Sequence, residues 1–197
     1  MGKDAAVGER VSAAGAMLDP RRAVVVLIDL QQKLLPAIAE RERVLANSLL
    51  LLRLSDVLEL PVILTTQYRK GLGEIVPEVT LAAPKVVPLD KVAFGCFGSA
   101  EFETRIAELD GRDQVLVAGV EAHICVAQTV LGALAKRLTV HVAADAVGSR
   151  TAANREIGLR RMETAGAVIT SAEMAVYELL GRSDAAAFKS MLPHLRG

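Results

Sequence analysis

Cys125 occupies a position suited to a nucleophile: it follows the apolar run Val115-Leu-Val-Ala-Gly119 by a few residues and opens a helical pattern. Two other reactive groups occupy matching places. Asp29 ends the run Ala23-Val-Val-Val-Leu-Ile28, and Lys91 comes shortly after Lys85-Val-Val87. A carboxylate, an amine and a thiol, each just past a strand, can meet at one edge of a parallel sheet. Each has a job there. A thiol near its ordinary pKa is mostly protonated at neutral pH and needs activation. Partial positive charge at the start of the following helix and the full charge of Lys91 would supply it. Asp29 would take the thiol proton and later return it to a leaving amine. Backbone N–H groups around Glu121 and Cys125 could hold an oxyanion.

The elements that must position these groups alternate. Strands are expected at 23–30, 62–66, 85–87, 115–120, 139–144 and 167–170. Helices are expected at 42–60, 99–109, 122–136, 151–165, 173–180 and 185–192. Pro61 is the expected stop of the first, Ser99 the N-cap of the second, and Gly166 closes the fourth. Alternating elements and near-continuous apolar strands predict a single-domain, doubly wound α/β/α sandwich on a six-stranded parallel sheet, for which the order 3-2-1-4-5-6 is taken. Strands 1 and 4 then flank the point where the order reverses, with Asp29 and Cys125 on its two sides. Lys91 must reach in from the connection after strand 3. Residues 1–20 read as an arm and 21–197 as the domain. The long connection 67–84, with two Gly and two Pro, is of the kind that lines a site.

Composition narrows the function classes. The chain has 197 residues, with 23 Lys plus Arg against 23 Asp plus Glu. Zero net charge gives no electrostatic footprint for nucleic acid, and 3% aromatics offer few stacking platforms. The apolar fraction is 52% and the mean hydropathy +0.36, yet no apolar run is long enough to span a bilayer. A buried sheet and a subunit interface would use the excess, so a homo-oligomer, dimer or tetramer, is expected. Two cysteines are too few for a disulfide framework, and the first 19 residues lack a signal-peptide pattern. A cytoplasmic setting follows as the expectation.

Certain words in the chain are more specific. AVVVLIDLQ surrounds Asp29, LDKVAFGCF surrounds Lys91 and GVEAHICVAQT surrounds Cys125; VAADAVGSR and GAVITSAE follow in order. On these the chain resembles the isochorismatase-like cysteine hydrolase superfamily over about residues 22–192. TTQYRKGLG at 65–73 is similar to the subgroup of isochorismatase domain-containing proteins. The resemblance implies a catalytic triad of Asp29, Lys91 and Cys125 and a non-proline cis peptide between Val120 and Glu121. Gln67, Tyr68, Phe94 and Phe97 are expected to wall the substrate pocket.

Departures from the family refine the reading. Related nicotinamidases carry an Asp and two His for a metal after strand 2, where this chain reads Gln67-Tyr-Arg69. No metal and no cofactor is therefore expected, and nicotinamide is a poor substrate candidate; a small amide or carbamoyl compound is the expected class. Isochorismatases that cleave a vinyl ether tend to lack the Cys, so Cys125 points to C–N hydrolysis through a thioester. Plainer readings compete. Cys125 alone is as easily a small core residue, Lys91 alone a surface lysine, and Cys96 is packing. His123 belongs to a surface or interface, while Asp145 and Arg150 tie a loop. A non-catalytic or redox-responsive binding protein and a vinyl-ether hydrolase using Asp29 are the alternatives carried forward.

Overall fold

The computed structural model describes residues 17–195. The arm expected over 1–20 falls, as far as residue 16, outside the described residues. Its last part is bound rather than loose. Leu18 is buried, its N–H donates to Glu178 Oε2 at 2.9 Å, and the Asp19 N–H donates to Gln114 Oε1 at 2.7 Å.

Six parallel strands form one sheet: β1 (Ala23–Ile28), β2 (Val62–Gln67), β3 (Leu89–Lys91), β4 (Gln114–Val120), β5 (Thr139–Gly148) and β6 (Val168–Thr170). Their order is β3-β2-β1-β4-β5-β6, as expected. Every residue of β1 and β4 is buried, because helices cover both faces. On one face α1 (Arg41–Leu58), α3 (Pro77–Ala82), α7 (Ala172–Leu180) and α8 (Ala186–Leu195) pack on Val25, Leu27 and Leu116. On the other, α4 (Ala100–Ala107), α5 (Ala127–Ala135) and α6 (Ala152–Thr164) pack on Val24, Val26 and Val117. The short α2 (Arg69–Leu72) and α3 occupy the long connection after β2. No helix among the described residues is long and apolar enough to cross a membrane.

Several local expectations are corrected. The third strand is not 85–87: Pro88 cannot donate to a ladder and Val87 is exposed, so pairing starts at Leu89 and Lys91 lies in the strand itself. Helix α1 ends at Leu58, with Glu59 in the left-handed region ahead of Pro61. Ser99 precedes α4 without a side-chain capping bond, whereas Thr151 and Ser171 cap α6 and α7 through their hydroxyls. β5 runs on to Gly148, past a register shift against β4 between Val117 and Gly119. The helix expected from 122 begins instead as a π-helical turn, Ala122–Val126, before α5 takes over.

Two glycines let backbone approach backbone at the site edge. Gly119 has φ +115°, and a Cβ there would lie 2.1 Å from the Ile28 carbonyl oxygen. β1 and β4 can therefore close up beside Asp29. A Cβ on Gly158 would meet the Ala122 carbonyl oxygen at 2.8 Å, so only glycine lets α6 seat against the π-helical turn.

His141 departs from this economy. It is 1% exposed on β5, and neither ring nitrogen has a hydrogen-bond partner among the described residues. Burial holds its pKa below the usual histidine range, with the charge of Glu178 opposing. The unfolded chain thus binds a proton below its ordinary pKa that the folded chain resists. Stability contributed by the neutral ring is present above that pKa and falls as pH drops below it. His141→Leu removes two unpaired polar atoms and should stabilise by about 1–3 kcal/mol near neutral pH. In urea unfolding at pH 5 and pH 7.5 its advantage over the parent should be larger at pH 5; equal advantage at both pH values contradicts the assignment.

Candidate active site

Asp29 is the first residue beyond β1. It takes a left-handed conformation, φ 56°, which turns the chain sharply out of the sheet. Its N–H still donates to the Thr65 carbonyl at 3.1 Å. Its side chain is completely buried. Thr65 Oγ1 donates to Oδ1 at 2.7 Å, and the Lys91 ammonium donates to Oδ2 at 2.7 Å. Lys91 is 4% exposed overall.

Lys91 has two further acceptors, Gln67 Oε1 at 2.9 Å and the Phe94 carbonyl at 3.1 Å. An ammonium has three N–H donors, and all three are engaged. The β2–β3 register places Gln67 directly beside Lys91. Gln67 Nε2 donates to the Val92 carbonyl at 2.8 Å. Gln31, fully buried, brackets the Gln67 backbone: its Oε1 accepts from the Gln67 N–H at 2.8 Å, and its Nε2 donates to the Gln67 carbonyl at 3.1 Å.

Cys125 lies in the π-helical turn that follows β4 and is 5% exposed. The Val120–Glu121 peptide leading into this turn is cis. The Glu121 carbonyl accepts from the N–H groups of Ile124 and Val126, and its buried carboxylate accepts from the N–H and Nε of Arg150 at 3.0 and 3.1 Å. Thr129 Oγ1 donates back to the Cys125 carbonyl at 2.7 Å and accepts from the Cys96 N–H at 3.0 Å. The environment of the thiol does not favour its ionisation. Burial pushes the Cys125 thiol up to about 12. The Asp29 charge and the hydrogen bond to Asp29 push the same way, and the Lys91 charge opposes them. Cys96, fully buried nearby, is pushed up to about 11 chiefly by burial.

The remaining expected site residues fall into three groups. Asp29, Lys91 and Cys125 are brought together. Tyr68 and Phe94 stand at the rim, 52% and 55% exposed. Gln67 and Phe97 are not pocket walls of the kind expected. Both polar atoms of the Gln67 amide are spent on Lys91 and Val92. The Phe97 ring packs edge-on against Phe102 at 5.1 Å, lies against Gly132 of α5 and sits under the Lys136 ammonium. His123 hydrogen-bonds Ser149 Oγ through Nδ1 at 3.0 Å, and Asp145 Oδ1 accepts from the N–H of Ala172. Gln31 and Thr65 are site residues that the sequence reading missed. Their position one or two places from Asp29 or Gln67 in strand register was the available signal. Among the described residues no three His, Cys, Asp or Glu side chains cluster as metal ligands do.

A buried carboxylate and thiol beyond the carboxyl ends of β1 and β4, with an ammonium on the last residue of β3, lie at one edge of a doubly wound parallel sheet. The chain belongs to the isochorismatase family: the family model described as isochorismatase domain matches residues 23–174. It is 34% identical to isochorismatase domain-containing protein 2A of Mus musculus over 175 residues, which are 87% of this chain and 82% of that one. Among solved structures it is similar to the MAR1 ribonuclease of Caenorhabditis elegans, with TM-score 0.87 and 32% identity over 92% of this chain and 93% of that one. It is also similar to the YcaC gene product of Escherichia coli, described as an octameric hydrolase of unknown specificity. There the TM-score is 0.84 and the identity 28%, over 90% of each chain.

Proposed function

We propose that this protein is a metal-independent cysteine hydrolase that cleaves a C–N bond of a small amide or carbamoyl compound through a Cys125 thioester. The observation that carries the reading is the buried Asp29–Lys91 pair set beside a buried Cys125 thiol whose pKa burial and Asp29 push up. A thiol at about 12 does not wait as a thiolate, so its proton must leave during attack. Asp29, whose charge acts directly on this thiol, is the acceptor.

The steps balance as follows. Sγ bonds to the carbonyl carbon while its proton passes to Asp29. The tetrahedral intermediate collapses, the C–N bond breaks, and Asp29 returns the proton to the departing nitrogen. Water then gives a proton to Asp29 and attacks the thioester; the C–S bond breaks and the thiol is reprotonated. One water is consumed, and a carboxylic or carbamic acid is released with ammonia or an amine. Lys91 holds Asp29 in one orientation throughout and keeps positive charge near the reacting sulfur.

The alternatives are weaker. A peroxide sensor needs an accessible, low-pKa thiolate, and both thiols here are buried and raised. The description of the C. elegans protein makes RNA a necessary arm of any assay. Among the described residues no histidine ring hydrogen-bonds into the Asp29–Lys91–Cys125 cluster, and the chain has no excess positive charge. By analogy with the octameric E. coli protein, this chain is proposed to work as a homo-oligomer in the cytoplasm.

The test is acyl-enzyme trapping. The protein is incubated with a panel of small primary amides and carbamoyl compounds, with RNA and a vinyl ether as further arms, then acid-quenched and digested. The expected result is an acyl mass on the Cys125 peptide with ammonia release, both absent in Cys125→Ala. Turnover surviving in Cys125→Ala would sink the thioester and move the reading to Asp29-only chemistry.

A further inference from the structure

The Lys91 ammonium has no donor left for a substrate. Its three N–H groups point at Asp29 Oδ2, Gln67 Oε1 and the Phe94 carbonyl, at 2.7, 2.9 and 3.1 Å. Two of those acceptors, Gln67 and Phe94, take no part in the proposed chemistry. The Gln67 side chain is fixed at its other end by the Val92 carbonyl, and its backbone is clamped on both sides by buried Gln31. Gln31 is itself anchored on the Gly73 carbonyl at 2.7 Å. Both polar atoms of the Gln67 amide are already held by protein partners, as suits a residue that positions Lys91.

We infer that Gln67 is a positioning residue that acts on Cys125 through Lys91. It fixes one corner of the ammonium tripod, which leaves Lys91 a single orientation toward Asp29 and the sulfur. The inference rests on the cysteine-hydrolase reading for its role in a reaction, but the coupling of Gln67 to the thiol is measurable without any substrate. Gln67 is a neutral choice for this post. A carboxylate in its place would compete with Asp29 for the ammonium and add negative charge near a thiol already raised by Asp29. A shorter amide at the same backbone position would not span to Lys91 and Val92 together. Gln31 extends the same scaffold to the loop after β2, so Asp29, Lys91 and the loop at 73 share one buried hydrogen-bond network.

Gln67→Met keeps length and burial and removes both hydrogen bonds. The experiment is a cycle of wild type, Gln67→Met, Lys91→Met and the double variant, each confirmed as folded by its thermal melt. Alkylation of Cys125 and Cys96 by iodoacetamide is followed by peptide at about pH 8.5. A thiol whose pKa rises by one unit has a tenfold smaller thiolate fraction but a more nucleophilic thiolate, so its rate falls only about threefold. Gln67→Met should therefore slow Cys125 by about threefold, and should make no further difference once Lys91 is Met. Retention of the Gln67 effect in the Lys91→Met background overturns the inference. So does an unchanged rate, or a faster rate at both cysteines, as a loosened 92–96 segment would give. Amide turnover by the wild type is recorded in parallel. A missing Cys125-dependent turnover with the coupling intact defeats the hydrolase reading alone; turnover with an additive Gln67 effect defeats this inference alone.

Discussion

Asp29→Asn should abolish most amide turnover while making Cys125 easier to alkylate. The two effects have opposite signs because Asp29 does opposite things to the resting and reacting thiol. At rest its charge and its hydrogen bond both help keep the proton on sulfur, where burial has already pushed the pKa up to about 12. At pH 7.5 such a thiol is ionised in only about one molecule in 10⁴ to 10⁵. A mechanism that drew on that standing fraction would be slow, so the carboxylate must accept the proton as the C–S bond forms. Removing a positioned general base costs typically about 10²–10⁴ in rate. Asn cannot take the proton, so kcat should fall by that factor. Iodoacetamide needs only a thiolate. With the Asp29 charge gone and the Lys91 charge still present, the thiol pKa falls and alkylation should rise by about threefold per unit, allowing for the lower nucleophilicity of a less basic thiolate. Asn is the right replacement on backbone grounds, because position 29 sits at φ 56° and Asn tolerates that region better than other residues of its size. Turnover and alkylation measured on the same preparation decide the matter. If both fall together, Asp29 acts by holding the site's structure and not as the base.

Much of this was legible in the sequence for one physical reason. A parallel sheet buried on both faces needs unbroken apolar strands, and Ala23–Ile28 and Gln114–Val120 could be little else. Their carboxyl ends marked where Asp29 and Cys125 would come out, and the alternation with helices called for a parallel sheet covered on both faces. The misreadings arose where hydrogen bonding, not hydrophobicity, chose the structure. Val86 and Val87 resemble a strand by composition, yet Pro88 interrupts donation and the three residues that pair, Leu89–Lys91, carry two charges. The π-helical start after Glu121 has no signature in apolar spacing, since it depends on the Glu121 carbonyl accepting from both Ile124 and Val126. Gln67 looked like a pocket wall because the strand end was recognised, but the register against β3 was not, and only that register shows its amide facing Lys91. The direction of the Cys125 shift was not legible for a related reason. Charges were visible in the sequence, while burial, the largest influence on this thiol, was not.

The last expectation concerns the ion pair as a structural element. Lys91→Met should lower folding stability by about 3–5 kcal/mol, the usual result of removing one partner from a buried pair. The side chains of Lys91 and Asp29 are 1% and 0% exposed and meet at 2.7 Å. Met fills nearly the same space, so the loss comes from charge and not from a cavity. Thr65 Oγ1 would be left as the strongest donor to a carboxylate that is completely buried. The argument predicts a rescue. Asp29→Asn in the Lys91→Met background removes the stranded charge while keeping a carbonyl acceptor for Thr65, and should recover about half or more of the loss. Urea unfolding of the parent, both single variants and the double variant gives the four free energies needed. Additive losses would mean that the two charges are solvated independently of each other and that the pair is not a unit. Strong non-additivity, with a double variant more stable than Lys91→Met, would mean that the two charges act as a unit; a double variant more stable than the parent would mean that the site is kept charged at a cost to the fold. A protein under selection for stability alone would fill this corner with apolar side chains. Retaining a carboxylate and an ammonium there, beside a thiol, makes sense where the carboxylate must be free to take a proton and the ammonium must hold it in place.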